Sequence, residues 1–341
     1  MRILLIYPGA TWSPYDVATG YEAALRSLGH DVFAFNYHTE CNYTSAYLGH
    51  LSQEFGMTFP EDAASVLASE RVTIAIVDRR PDVILNVMGL SLHQRAYIHA
   101  HILGVPMAII LTESPYADSV QSDMVSRNAV AMAFTNDRSS VEPLREATGA
   151  QIHYLPHSFN PGRHYPHKVN GEHQRDVFFY GTLWPERKEL LDQLDLSAYN
   201  AWVELTRFDP ESGEMPKVLQ NDDMALWYSG AKVAINHHRT VTIEGTSHVI
   251  DPYSLGPRAF EISACGAFQL CDDARPELAE VFGDTVATYS DGDDLQGQID
   301  YYLSHDAERR EMAAAALERV QPCSFLNRAR EIVVPALEGL V

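Results

Sequence analysis

The feature that most constrains this chain is a repeated unit: a short apolar run stops at glycine, proline or a polar residue, and a helical pattern follows. Ile3 to Tyr7 stops at Pro8-Gly9, a helical pattern covers Gly20 to Leu28, and Gly29-His30 closes it before the next run, Asp31 to Asn36. Asp82 to Val87, Pro106 to Leu111, Val130 to Thr135 and Ile152 to Leu155 continue the series, with helical patterns at Glu61 to Glu70, Leu92 to Leu103 and Ser139 to Thr148. Apolar runs without alternation fit strands buried on both faces, the habit of parallel sheets. Strand, helix, strand units in succession predict a doubly wound α/β sheet whose carboxyl edge holds ligands. Residues 37–60 are polar and aromatic with a weak helical signal, and read as a surface excursion.

The same grammar restarts in the second half. Asp176 to Tyr180 is a buried strand with Gly181-Thr182 as its turn, and Pro185 to Leu194 is a helix charged at its start. Strands Trp202 to Arg207, Lys232 to Asn236 and Thr285 to Tyr289 follow, with helices at Asn221 to Ser229, Pro276 to Phe282, Asp293 to Ser304 and Ala307 to Val320. A chain of 341 residues exceeds what one core usually serves. Two Rossmann-like domains are expected, 1–160 and 161–323, with the helical segment 324–341 crossing back to the first. Proline and histidine crowd residues 156–173, the expected linker. His153, His157, His164 and His167 match no paired-ligand spacing and have no carboxylate among them, so no metal site is expected.

Charge narrows the partners. With 25 Lys and Arg against 46 Asp and Glu, the formal net charge is -21, which opposes non-specific attachment to nucleic acid or anionic membrane. Cys41, Cys265, Cys271 and Cys323 form no CxxC pair and read as reduced thiols. The amino-terminal apolar run is too short for a signal-peptide core and no stretch approaches a membrane span, so a cytoplasmic protein is expected.

Chemistry concentrates in Ser254 to Asp273, SLGPRAFEISACGAFQLCDD: a loop, a helix from Arg258 to Ala264, a glycine and a strand from Ala267 to Cys271. Pro257 suits the first helical position and Gly266 the left-handed end. A helix start presents free amides and a positive dipole end, so Arg258 reads as a phosphate ligand. Glu261, three residues on, reads as a hydroxyl acceptor, and the two suit a sugar nucleotide. The same residues also suit an ordinary capped helix. Gly181 would let a diphosphate approach the backbone, and Arg187 or Lys188 would neutralise it. Arg207, Asn236 and His237 stand at strand ends that meet the same edge, in the second case within Asn236-His237-His238-Arg239. In the first half, Gly9, Thr11, Trp12, Ser13 and Asp16 follow the first strand, and His93 and Glu113 follow later ones.

The segments DVFFYGTLWPERKELL, YSGAKVAINHHR, SLGPRAFEISACGAFQLCDD and ELAEVFGDTVATYSDGDDL, in that order, resemble GT-B glycosyltransferases, most nearly the CgeB-like spore-maturation proteins near the retaining glycosyl transferases group 1. The likeness covers residues 176–330 well and the first half through GYEAALRSLGHDV, RPDVILNVMG and YLPHSFNP. It implies a GT-B fold, two Rossmann-like domains facing a central cleft, and transfer of a sugar from a UDP- or GDP-sugar to an acceptor hydroxyl, with no obligatory cofactor. By the same resemblance Gly181 and Thr182 lie against the diphosphate, Arg187 or Lys188 pairs with it, and Glu261 holds the ribose. The family keeps a second glutamate eight positions earlier for the sugar; here that position is Tyr253, with Asp251 or Glu244 as substitutes. Arg258 would stabilise the departing diphosphate. An inverting reaction would need a base, for which Asp16, His93 and Glu113 are the candidates; a retaining one needs none. An epimerase of the same fold and a non-catalytic nucleotide-sugar scaffold are the alternatives. The acceptor is left open among small molecules, glycans, proteins and modified DNA, as is the oligomeric state.

Overall fold

The computed structural model describes all residues except 9–13, 91, 207–218, 220 and 241–250. The chain divides into two compact units, Met1–Pro156 with Phe325–Val341, and His157–Ser324.

The first unit is a six-stranded parallel sheet: β1 (Arg2–Tyr7), β2 (Asp31–Asn36), β3 (Val83–Val87), β4 (Met107–Leu111), β5 (Met132–Thr135) and β6 (Gln151–Tyr154), in the order β2-β1-β3-β4-β5-β6. Helices α1 (Pro14–Ser27), α2 (Tyr37–Phe55), α3 (Ala63–Arg79), α4 (Gln94–Ile102), α5 (Asp118–Arg127) and α6 (Val141–Thr148) fill the connections. Successive strand residues point to opposite faces, which explains the unbroken apolar runs. Leu4, Ile6, Ile84 and Ile109 pack with α3 to α6. Ile3, Leu5, Val83 and Leu85 pack with α1 and with Phe325, Ala329, Val333 and Leu337 of the carboxyl-terminal segment. Each such side chain contributes about 1.5–3 kcal/mol by leaving water. The fit is tight at Gly20, where a Cβ would stand 2.3 Å from the Phe325 ring.

The second unit is a five-stranded parallel sheet: β7 (Arg175–Thr182), β8 (Ala201–Thr206), β9 (Ala231–Asn236), β10 (Gln269–Asp272) and β11 (Ala287–Tyr289), in the order β11-β10-β9-β7-β8. Its helices are α7 (Pro185–Leu191), α8 (Asn221–Gly230), α9 (Pro257–Ala264), α10 (Glu277–Phe282), α11 (Gly292–Ser304) and α12 (Asp306–Val320). Phe178, Tyr180 and Ala234 face α8 and α9. Val177, Phe179, Val233 and Ile235 face α11 and α12. In each sheet the strand order reverses beside the first strand, between β1 and β3 and between β7 and β9. Ligands of open α/β sheets lie at the carboxyl ends flanking such points.

Several elements differ from expectation. Residues 37–60 hold a helix of 19 residues, α2, with Asn36 capping Thr39 N–H and Gly56 closing it in the left-handed region. Tyr37 alone of that helix is buried, so no apolar stripe signalled it. Helix α1 starts at Pro14, so Asp16 sits in its first turn rather than in a loop. Residues 157–173, read as a linker, belong to the second unit. Within them Phe159 is buried and bridges Ser324, and burial pushes the His164 pKa down to about 3. The segment after 324 is not one helix: α13 (Phe325–Arg328) and α14 (Val334–Glu338) flank a π turn at Ala329–Val333. All four cysteines are free. No helix among the described residues is long and apolar enough to cross a membrane.

Candidate functional site

The second unit's switch point gathers charge. Strand β7 carries Gly181 to its carboxyl end, and Arg187 and Arg258 converge there: a Cβ on Gly181 would meet Arg258 Nη2 at 3.0 Å and Arg187 Nη1 at 3.5 Å. Pro257 opens α9 after the N-cap Gly256, placing Arg258 in the first turn. Its Nη2 donates to the Tyr180 carbonyl at 2.9 Å, and its guanidinium stands 5.2 Å from the Phe179 ring centre. Arg187 spans the two strands. It donates through Nη1 to the Thr182 carbonyl at 3.3 Å and through Nε and Nη2 to the His237 carbonyl at 3.1 and 2.9 Å.

Arg187 is only 8% exposed, and among the described residues no carboxylate comes within ion-pair distance of it. Burial first and the Arg258 charge second lower its pKa to about 9. The guanidinium is thus held charged at a cost, which an anion between the two arginines would relieve.

Glu261 is half-buried one turn beyond Arg258. Both act on Tyr228 of α8: burial raises that hydroxyl's pKa, with Arg258 opposing and Glu261 reinforcing. Burial and then the Glu261 charge push the Cys265 thiol up to about 12. Glu261 and Arg258 therefore share one face of α9.

A second group stands at the ends of β9 and β10. The Asp272 carboxylate accepts from His238 N at 2.6 Å and His238 Nδ1 at 2.9 Å, and lies 3.7 Å from His237 Nδ1. Burial pushes the Asp272 carboxyl up, but the His238 charge and its two N–H donors more than offset this, leaving it well below the usual carboxylate range. His237 Nδ1 meets the Tyr289 hydroxyl at 3.1 Å, and burial lowers the His237 pKa. A ring nitrogen of His238, Cys271 Sγ and an Asp272 carboxylate oxygen lie within 4.8 Å of one another, close enough to be metal ligands. Each is already engaged by hydrogen bonding, Cys271 with Asn236 Nδ2 at 3.4 Å, so the cluster reads as a polar network.

Of the residues singled out from the sequence, the structure brings Gly181, Arg187 and Arg258 together, with Thr182 contributing its carbonyl and Glu261 on the same helix face. Three differ from expectation. Lys188 turns outward, 57% exposed, and pairs with Asp192 four residues on, because consecutive helical positions point about 100° apart and Arg187 takes the inward one. Asn236 is not presented at the edge; its amide is buried, donating to Gln269 Oε1 at 3.0 Å. Tyr253 donates its hydroxyl to Glu280, which ties the loop before α9 to α10. Arg207, the 9–13 loop and Glu244 lie outside the described residues. Asp272 carried no role from the sequence, and His238 stood there only within the polar end of β9; the signal for pairing them was an acid closing β10 beside that end.

In the first unit, Asp16 is in the first turn of α1, and Glu113 follows β4 in a turn where its carbonyl accepts Ala117 N–H. His93 caps α4: its Nδ1 accepts Arg95 N–H at 3.3 Å, and Nε2 lies 3.8 Å from Asp62. A neutral imidazole accepting at Nδ1 carries its proton on Nε2, which leaves no free lone pair for a base. A cavity of about 580 Å³ lies at the opposite, amino edge of the second sheet, lined by Arg175, Lys232 and Arg309. Lys232 pairs with Asp176 at 2.7 Å and Arg309 with Asp306, while Arg175 donates to the Glu172 and Gln174 carbonyls.

Residues 169–333, nearly the whole second unit, match the model of the glycosyl transferase-like family. The protein is accordingly a glycosyltransferase of GT-B fold. It is 23% identical over 235 residues to the spore protein CgeB of Bacillus subtilis, covering 64% of this chain and 71% of that one. In fold it is similar to sucrose-phosphate synthase from Thermosynechococcus elongatus, with a TM-score of 0.59 at 12% identity over 99% of this chain and 100% of that one. It is likewise similar to Anabaena HepE in complex with UDP-glucose, with a TM-score of 0.58 at 12% identity over 99% of this glycosyltransferase and 100% of that chain.

Proposed function

We propose that the glycosyltransferase takes its sugar from a UDP-sugar whose diphosphate lies at the carboxyl ends of β7 and β9. The observation that carries this is the convergence of Arg187 and Arg258 on Gly181, with Arg187 buried and unmatched by a carboxylate among the described residues. Uridine is favoured over guanosine because Anabaena HepE is bound to UDP-glucose. In this reading the Gly181 backbone admits the diphosphate, Arg258 and Arg187 bind its oxygens, and Glu261 accepts from the ribose hydroxyls. As the glycosyl–oxygen bond breaks, negative charge grows on the leaving phosphate, and fixed guanidinium groups aimed there lower the barrier. The first unit's edge at Asp16 and Glu113 is proposed to serve the acceptor hydroxyl, with a carboxylate as base if the reaction inverts.

The test is to incubate the protein with a panel of nucleotide sugars and measure nucleoside diphosphate release, with and without acceptor extracts, for the native protein, Arg258→Ala and Glu261→Ala. Release of UDP that needs acceptor and is lost in Arg258→Ala is expected. Donor turned over alone and reversibly would show an epimerase, and donor bound but never consumed a scaffold. Donor binding unchanged in both variants would refute the site.

A further inference from the structure

His238 is a buried imidazole with one end held and the other unmet. It is 7% exposed. The Asp272 carboxylate accepts from its Nδ1 at 2.9 Å and from its own backbone N–H at 2.6 Å, which fixes both the ring and the tautomer with the proton on Nδ1. Nε2 has no hydrogen-bond partner among the described residues. A buried polar atom left so costs on the order of 1–3 kcal/mol, so it calls for a ligand.

What Nε2 faces indicates the ligand. A Cβ on Gly256 would lie 3.4 Å from His238 Cδ2 and 3.8 Å from Nε2. Gly256 is the N-cap of α9, and no side chain caps that helix, so the amide end of α9 and Nε2 share one small space. A helix amino end favours an anion, and glycine there leaves room for one against the backbone.

We propose that His238 is a phosphate ligand of the donor, protonating at Nε2 as the nucleotide binds, so that one imidazolium proton donates to a diphosphate oxygen while Asp272 balances the new charge. The inference rests on the donor reading of the same edge. Nucleotide binding then takes up a proton, and the donor is held by the ring as well as by Arg187 and Arg258. The charge facing the ring is Asp272 on β10, and the charges acting on the neighbouring Arg187 are Arg258 on α9, Glu186 on α7, Arg239 in the loop after β9 and Asp272. The other titrating neighbour is His237, whose Nδ1 is engaged with the Tyr289 hydroxyl and whose pKa is lowered by burial.

The test is calorimetric titration of the full chain with UDP, and with inorganic pyrophosphate as a base-free probe, across about pH 6 to 8 and in buffers of different ionisation enthalpy, for the native protein, His238→Gln and His237→Gln. The native protein and His237→Gln should bind more tightly as pH falls and should take up protons. His238→Gln should bind UDP about 10-fold or more weakly with a flat pH profile, as expected for losing one charged hydrogen bond. Thermal unfolding of each variant checks that it folds. If His238→Gln does not fold, native proton uptake that persists in His237→Gln supports the proposal and its absence overturns it. Unchanged affinity and unchanged proton uptake in folded His238→Gln overturn the proposal and leave the donor reading standing. Failure of the native protein to bind UDP or pyrophosphate overturns both.

Discussion

The two switch points share a reversal of strand order and differ in charge. At β1 and β3 the polar groups answer one another: Asn86 donates to the Tyr97 hydroxyl at 3.2 Å, and that hydroxyl donates to the Gly89 carbonyl at 3.0 Å. Met88 and Gly89 both take left-handed backbone there, and a Cβ on Gly89 would be within 3.2 Å of Ile109, Met124 and Tyr97. Those described polar groups at the end of β3 are spent on one another rather than left for an anion. At β7 and β9 two guanidinium groups lie against Gly181 and a buried imidazole nitrogen is left unmet. A parallel sheet supplies a place for a ligand at each reversal, but only an edge whose electrostatics are left incomplete is poised for an anion.

The largest effect should separate the edges directly. Arg258→Ala should slow nucleoside diphosphate release about 100- to 1,000-fold, the usual loss when one donor to a developing oxyanion is removed. Asp16→Ala and Glu113→Ala should leave UDP affinity within a factor of three of native, about 0.7 kcal/mol. If either first-unit substitution loosens UDP as much as Arg258→Ala does, the contrast between the edges is false.

Ligand-linked stability sharpens the same contrast. At a UDP concentration 100 times its Kd the native protein should gain about 2.7 kcal/mol against unfolding. Arg187→Met should lose most of that increment, since the diphosphate loses the cation that spans β7 and β9. A retained increment in urea titrations with and without UDP would show that Arg187 only braces the two strand ends.

Much of the fold was legible because buried parallel strands write themselves as apolar runs, and each of the eleven strands overlaps a run read from the sequence, its ends within two residues of that run. Helices were less so: α2 buries only Tyr37, and a helix without an apolar stripe leaves no period to read. Of the site, Gly181, Arg258 and Glu261 were visible through helix-end chemistry, which is local in sequence. The Asp272–His238 pair was not, because its members are 34 residues apart and meet only through β9 and β10 pairing. Long-range packing was equally hidden at Gly20, which touches Phe325. Gly20→Ala should cost about 1–3 kcal/mol by overpacking. Urea unfolding should show that loss while UDP affinity stays native, since the strain falls on the first unit.

The smallest effect concerns Lys188, which the sequence placed level with Arg187 as a diphosphate ligand. Its ammonium is 57% exposed and paired with Asp192, itself 61% exposed, so the pair is worth about 0–1 kcal/mol. Lys188→Ala should therefore change stability by less than about 1 kcal/mol and UDP affinity by less than about twofold. Neighbours in sequence would then differ by orders of magnitude in the donor assay, because one faces the β7 and β9 ends and the other faces water. A tenfold loss of UDP affinity in Lys188→Ala would mean that the side chain leaves Asp192 when the nucleotide binds, and the cationic edge would extend along α7 rather than stop at Arg187.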